Sequence, residues 1–186
     1  IICLSVKHGL SIMKNASVVN AETSTFAVLN KVILHLSENF FWQGEDIDNA
    51  LHSGAIFKGH ERGPEGEVKY LGYILFSDVT LDGDEPDVEN LTMDSLDHVE
   101  QKMRDDLATE FAVDSFLPPK LDTLENGVDA LVSSCFLKSE GSPLLMKSFR
   151  MKHNDEKWIA VCSFAPERAD DFGKAVEGSI STAIFK

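Results

Sequence analysis

Acidic side chains crowd one short segment of this sequence, where they could bind a metal ion. The segment covers residues 82–89, and its five acids are Asp82, Asp84, Glu85, Asp87 and Glu89. Carboxylates are the ligands that calcium and magnesium prefer. A calcium-binding loop that starts at Asp82 would need glycine at its sixth position and glutamate at its twelfth, where this sequence has Asp87 and Met93. We therefore predict no metal site, which leaves a solvated loop or part of a protein-binding surface.

Other residue types that catalyse reactions are present without the spacing that catalysis needs. The six histidines form no HExxH motif and no close pair with a cysteine. A Gly-x-Ser-x-Gly nucleophile elbow is absent, and acids follow the glycines of residues 63–67, where a phosphate-binding loop needs lysine. We predict a protein that is not an enzyme and holds no cofactor. A small metal-dependent hydrolase stays open as an alternative, because carboxylates are abundant enough to line any cleft.

Three large aromatic side chains stand side by side at Phe40, Phe41 and Trp42. The surrounding polar residues predict a turn, from which three consecutive rings cannot all point inward. We expect two rings to anchor the turn and one to be partly exposed. The alternative is an exposed aromatic patch that binds a partner segment. This turn and the acidic segment are together the predicted partner-binding surface.

The charge balance restricts the class of partner. The chain has 31 acids and 17 lysines and arginines, a net charge of −14. Binding to a nucleic-acid backbone needs clustered lysine and arginine, so we predict no nucleic-acid partner. No apolar run reaches the roughly 18 residues of a membrane span. We expect a protein partner that is basic or presents an apolar segment.

The cysteines point to a reducing compartment. An odd number leaves at least one of Cys3, Cys135 and Cys162 unpaired. If the polar segments between the last two are hairpin turns, Cys135 lies opposite Met146, and Met146 lies opposite Ser163. Cys162 then projects from the other face of the sheet, because side chains alternate along a strand. Reduced thiols favour the cytoplasm, whereas an export signal before the first residue would place the protein in the periplasm or envelope.

Apolar alternation predicts the strands that must position these groups. Residues 26–36 predict two short strands with a turn at Asn30 and Lys31, followed by the aromatic turn. An edge strand over residues 55–59 precedes a long strand over residues 68–81. Both faces of the long strand are apolar, with Tyr70, Ile74 and Phe76 on one and Leu71, Tyr73 and Leu75 on the other.

The clearest helix follows the acidic segment. Its apolar stripe recurs at steps of three and four residues: Met93, Leu96, Val99, Met103, Leu107 and Phe111. Asp94 and Asp97 lie near its start, where negative charge suits the helix dipole. Glu100 can pair with Arg104 one turn further along.

A three-stranded meander follows Pro118 and Pro119, which are expected to end the helical region. Its first hairpin has an Asn-Gly turn at residues 125–127. One face of the meander carries Leu131, Leu137, Met146, Ile159 and Val161. The other carries Val132, Phe136, Phe149, Trp158 and Phe164. Large apolar groups on both faces predict that both are covered.

Pro166 opens a terminal helix whose stripe is Ala169, Phe172, Val176, Ile180 and Ile184. The economical assembly is an α/β (α+β) fold, a mostly antiparallel sheet with a helix on each face. We expect residues 26–186 to form one domain. Residues 1–25 precede it as an N-terminal segment that could contribute an extra strand.

Two segments carry a resemblance to a known family. They are KVILHLSENFFW at residues 31–42 and WIAVCSFAPERADDFGKAVEGSISTAIF at residues 158–185. With the element order, they resemble the PsbP-like family, in particular its bacterial branch. That branch includes the DcrB lipoproteins and the effector-associated adaptor chaperones of type VI secretion. Cys3 departs from a lipoprotein signal, because it follows two isoleucines and not a Leu-Ala-Gly motif.

The resemblance implies an α/β/α sandwich without catalytic activity, whose members share a surface that binds other proteins. We therefore expect a non-catalytic protein-interaction module that serves as an adaptor, a chaperone or an immunity-type binding protein. The alternatives are a DcrB-like envelope protein and the small metal-dependent hydrolase considered above. The family offers no catalytic residue to carry over to this chain.

Overall fold

Two antiparallel sheets dominate the fold. The computed structural model describes residues 25–108 and 111–186, so the strand expected at the start of the chain, and Cys3, lie outside it. The larger sheet contains β3 (Phe41–Asp48), β4 (Ser53–Arg62), β5 (Val68–Asp78), β6 (Ala112–Thr123), β7 (Asp129–Ser139), β8 (Ser142–His153) and β9 (Glu156–Phe164), in the order β3-β4-β5-β9-β8-β7-β6. The smaller sheet contains β1 (Thr25–Val28), β2 (Val32–His35) and β10 (Ile184–Phe185), in the order β1-β2-β10.

Helix α1 (Met93–Ala108) forms where the apolar stripe predicts it. The Thr92 hydroxyl accepts a hydrogen bond from the Ser95 amide, 3.1 Å away, and so satisfies a free donor of the first turn. Arg104 pairs with Glu100 at 2.6 Å, as predicted. The helix buries Val99, Met103 and Leu107, whereas Met93 is exposed and Phe111 lies beyond the last turn.

The two helices cover opposite faces of the larger sheet. Helix α1 packs on the face that carries Leu131, Cys135, Leu137, Met146, Ile159 and Val161. Helix α2 (Lys174–Ser181) and the smaller sheet pack on the face that carries Val132, Phe136, Phe149, Trp158 and Phe164. The predicted α+β fold and both predicted faces of the meander are confirmed.

The two cysteines in the described part of the chain lie on opposite faces, as predicted. Cys135 pairs with Met146, and Met146 pairs with Ser163, in the ladders of β7, β8 and β9. Cys135 and Cys162 are both fully buried. Burial raises the pKa of Cys162 to about 12, because a thiolate loses its hydration there. This thiol behaves as a small apolar side chain.

The structure corrects the predicted turns around the first strands. The β1–β2 loop has three residues, because Val28 pairs with Val32. It contains the predicted Asn30 and Lys31 and also Leu29, and the φ angles of Leu29 and Asn30 are 52° and 56°. The aromatic segment is not a turn, since Phe41 and Trp42 begin strand β3. Strand β3 pairs with residues 53–60 of β4, so the predicted edge strand near residues 55–59 is an inner strand.

Strand β6 runs through the two prolines that were expected to end the region. Its register with β7 shifts between Leu117 and Lys120, and this irregularity accommodates Pro118 and Pro119. A proline can lie in an edge strand because its missing amide hydrogen is not needed on the open side. The prediction that the prolines separate helix from sheet is therefore wrong, and the larger sheet gains a twelve-residue strand.

Two further predictions are wrong in part. A register shift between Gly59 and His60 displaces β5, so Leu71 packs on the same face as Ile74. The terminal helix forms through a 3₁₀ turn (Pro166–Arg168) and a π turn (Ala169–Gly173), and it ends at Ser181. Ile184 belongs to β10, where it pairs with Ile33 and is half exposed.

Candidate partner-binding surface

The acidic segment folds onto the sheet and does not form an exposed loop. Glu85 is only 6% exposed, and its carboxylate accepts a hydrogen bond from Arg150 on β8, with 2.9 Å between Nε and Oε2. Arg150 is equally buried and also donates to Ser148. The Lys157 ammonium donates to the Glu85 carbonyl at 2.8 Å. These contacts hold the segment against the face that α1 covers.

Asp82 forms a second buried anchor of the acidic segment. Its carboxylate lies 3.2 Å from Nε2 of His52, and its other oxygen accepts a hydrogen bond from the Asp84 amide. Burial alone would raise the pKa of Asp82. The Asp84 amide, His52 and the Lys102 ammonium outweigh burial and hold that pKa below its ordinary value. This carboxylate is therefore a structural anion.

The remaining acids of the segment are divided between internal pairing and solvent. Lys152 on β8 pairs with Asp87 at 3.3 Å and with Glu89 at 2.7 Å. Asp84 and Glu89 are exposed, whereas Asp82 and Glu85 are buried. The prediction of an exposed acidic loop is wrong for the two buried acids. Arginine and lysine side chains of β8 compensate the charges of Glu85, Asp87 and Glu89.

Acidification is expected to destabilise the protein through Asp82. Because its folded pKa lies below the ordinary value, its contribution to stability is present above about pH 4 and is lost as pH falls through the folded pKa. Asp82→Asn should therefore give a shallower decrease of Tm between about pH 5 and pH 2.5 than the unaltered protein. Differential scanning fluorimetry across that range measures this slope.

Asp155→Asn is the matched control for this measurement, because Asp155 is an exposed aspartate in the β8–β9 turn. Its slope should follow that of the unaltered protein. An Asp82→Asn slope that equals the Asp155→Asn slope would contradict the assigned role of Asp82.

The aromatic segment divides its three rings between the two faces of the larger sheet. Phe40 and Trp42 pack against Phe172, with ring centroids 5.1 and 5.7 Å apart. Phe41 points to the opposite face and is 37% exposed. The expectation that two rings anchor the segment and one is partly exposed is confirmed, although the segment is a strand.

Phe41 belongs to a row of exposed or half-buried side chains that crosses three strands. Phe41 pairs with His60, and His60 pairs with Tyr70, so the three lie side by side on one face. The Arg62 guanidinium lies 4.5 Å from the centre of the Phe41 ring, and the His60 and Tyr70 rings are 5.6 Å apart. Val68 pairs with Arg62 and completes the set. We call these five residues the aromatic row.

Sequence reasoning missed the aromatic row because its members come from positions that only the sheet brings together. Tyr70 and Val68 are 52% and 63% exposed, although they continue a strand that is buried from Leu71 onward. The apolar start of the predicted long strand, next to a turn, was the signal available in the sequence. That signal could not identify Phe41 as a neighbour.

Among residues 25–108 and 111–186, no group of three histidine, cysteine, aspartate or glutamate side chains could hold a metal ion. In the same part of the chain, no helix is long and apolar enough to cross a membrane.

Comparison with known proteins identifies the fold and no more. No family model matches this chain, and no curated protein matches it. A crystal structure of PA94 from Pseudomonas aeruginosa, a protein of unknown function suggested to be a regulator, is similar over 75% of this chain and 86% of that chain. The TM-score is 0.50 and the sequence identity is 13%. Similarity at this level of identity supports a shared fold and carries no function.

Proposed function

We propose that this chain is a non-catalytic protein-interaction module, an adaptor, chaperone or immunity-type binding protein, and that a segment of its partner docks on the aromatic row. The observation that carries the proposal is the exposure of Phe41, Val68 and Tyr70 side by side on one sheet face. Tyrosine and arginine, which the row also contains, are enriched among residues that dominate binding energy at interfaces.

The row is supported by rigid structure, which favours binding. Trp42 follows Phe41 in strand β3, and its ring stacks on the fully buried ring of Phe172. Gly59 pairs with Trp42 and lets the Phe172 ring approach closely. Side chains held by ordered strands lose little freedom on association, so more of the contact energy remains as affinity.

The acidic segment is a weaker candidate for the main contact. Glu85 and Asp82 have buried partners within the chain, so a ligand would have to displace Arg150 or His52 to reach them. Breaking a buried ion pair costs more than a new surface contact returns. Only the exposed acids Asp84 and Glu89 could steer a basic partner toward the protein.

Site-specific photo-crosslinking followed by reconstitution tests the proposal. A photo-crosslinking phenylalanine analogue replaces Phe41 or Tyr70, and the adducts formed in an extract of the source organism are identified by mass spectrometry. The same analogue at Leu81, which is 75% exposed but outside the row, is the matched control. We expect one protein to be captured from both row positions and not from the control position.

The captured protein is then purified and its affinity measured by calorimetry. Phe41→Ala combined with Tyr70→Ala should weaken binding at least about tenfold, because hot-spot truncations cost about 2 kcal/mol or more. Leu81→Ala should leave the affinity unchanged, and circular dichroism checks that each variant is folded. Equal binding by the row variant and the Leu81 variant would overturn the proposal.

A further inference from the structure

We infer that the partner enters as an extended, positively charged segment that pairs with strand β3 and adds a strand to the larger sheet. This inference rests on the proposed function, because β3 carries Phe41 of the aromatic row.

The two edges of the larger sheet differ in their capacity to accept a strand. Strand β6 contains Pro118 and Pro119 and two shifts of register, features that block pairing at an edge. Strand β3 contains no proline, and all its eight residues pair one-to-one with β4. Among residues 25–108 and 111–186, no strand other than β4 pairs with β3, so within that part of the chain its outer backbone groups form an edge without a ladder partner. Such an edge is the template for strand addition by a peptide.

The charges of β3 specify the sign of the incoming segment. Glu45 is compensated by Lys58 at 2.8 Å. Asp46 and Asp48 are exposed, and no lysine or arginine of residues 25–108 or 111–186 forms an ion pair with either. A strand added at this edge would place side chains about 5 Å from both aspartates. Lysine or arginine there would provide the missing countercharge.

Alternation along the strand then gives a sequence pattern for the segment. Asp46 and Asp48 lie on one face, whereas Phe41 is five residues from Asp46 and lies on the other, next to His60 and Tyr70. An antiparallel segment that satisfies both faces has basic residues at positions i and i+2 and an apolar residue at i+7. The apolar residue extends the aromatic row by one strand.

A second copy of this chain is a poorer occupant of the edge. Pairing of two β3 strands would bring the aspartates of one copy close to the acids of the other. Like charges placed opposite each other across two strands are destabilising. The open edge of β3 therefore favours a different, basic chain over self-association.

Synthetic peptides test strand addition directly with the full chain. The probe is the labelled peptide Lys-Val-Lys-Thr-Thr-Thr-Thr-Val. A second peptide has glutamate in place of both lysines, and a third peptide has the probe sequence with alternate amides N-methylated. Fluorescence anisotropy gives the affinities, and amide chemical-shift perturbation locates the site. We expect the basic peptide to bind at least about fivefold tighter than the acidic one. N-methylation should abolish binding, because it removes the amide hydrogens that pair with the strand. The amides whose chemical shifts change should lie on β3.

Asp46→Asn combined with Asp48→Asn should lower the affinity for the basic peptide about fivefold. Asp122→Asn, a matched change of an exposed acid on the opposite edge strand, should have no effect. Retention of binding by the N-methylated peptide, perturbation away from β3, or a dimer through β3 in analytical ultracentrifugation would overturn the inference.

The same variants separate this inference from the proposed function. If the captured partner loses affinity with the Phe41 and Tyr70 substitutions but not with the Asp46 and Asp48 substitutions, docking on the row stands and strand addition fails. If both sets of variants bind that partner as the unaltered protein does, the proposed function fails. Loss of affinity with both sets supports the two proposals together.

Discussion

Arg150→Met is expected to lower the free energy of unfolding by about 3–5 kcal/mol, the largest effect of any single charged side chain considered. The substitution leaves the Glu85 carboxylate buried without its 2.9 Å partner. The Lys102 ammonium lies 3.9 Å from the other oxygen of Glu85 and makes no hydrogen bond within the described part of the chain, so it compensates the carboxylate only in part. Methionine keeps most of the side-chain volume, so the lost stability comes mainly from the unpaired charge of Glu85. Urea denaturation followed by tryptophan fluorescence measures the effect.

Arg104→Met is the matched control for Arg150→Met, because the Arg104–Glu100 pair has similar geometry but is far more exposed. Its cost should be about 1 kcal/mol, because the exposed ion pair contributes about 0.3–0.5 kcal/mol and the contact of Arg104 with the Phe116 ring, 4.6 Å from its centre, adds about 0.5–1 kcal/mol. Glu85→Gln combined with Arg150→Met should recover part of the lost stability, because the buried charge is then removed. If Arg150→Met costs no more than Arg104→Met, the buried pair does not hold the acidic segment.

Phe172→Ala is expected to cost about 3–5 kcal/mol, because it opens a cavity that the surrounding backbone cannot fill. The Phe172 ring is fully buried and lies against two glycines. A Cβ atom added to Gly59 or Gly72 would lie 2.4 or 2.9 Å from the ring. The ring therefore occupies space that is free because Gly59 and Gly72 have no side chain, and it also stacks on Trp42. Urea denaturation measures the loss.

Phe41→Ala is the control for Phe172→Ala, since Phe41 lies on the same strand as Trp42 but faces solvent in part. It should cost about 1–2 kcal/mol, because Phe41 is 37% exposed and its removal loses only part of the burial that a core phenylalanine provides. A larger loss of unfolding free energy for Phe172→Ala than for Phe41→Ala would show that Phe172 supports the strand, whereas Phe41 serves mainly as part of the exposed aromatic row. Similar losses for both would contradict that division of roles.

Features that follow from a short repeat along the chain could be predicted from the sequence. The stripe that buries Val99, Met103 and Leu107 recurs every three or four residues, and this local repeat is sufficient to indicate the helix. The opposite placement of Cys135 and Cys162 followed from alternation through two tight turns. Both predictions depend on neighbours in sequence, so they needed no knowledge of the tertiary structure.

Other elements depend on partners far away in sequence. The acidic segment reads as solvated, yet Glu85 is buried because Arg150, 65 residues later, supplies its countercharge. Strand β6 continues through Pro118 because it lies at an edge, and edge position is a property of the assembled sheet. Nothing within either segment indicates these outcomes.

For this protein, the sequence by itself determined the fold class, the two apolar faces of the sheet and the negative charge, because these follow from composition and local period. The tertiary structure alone decided which strand forms the open edge, which acids are buried and which side chains join Phe41. The physical reason is that exposure and pairing depend on the order of strands. In an antiparallel sheet, that order brings residues such as Phe41, His60 and Tyr70 together from separate strands.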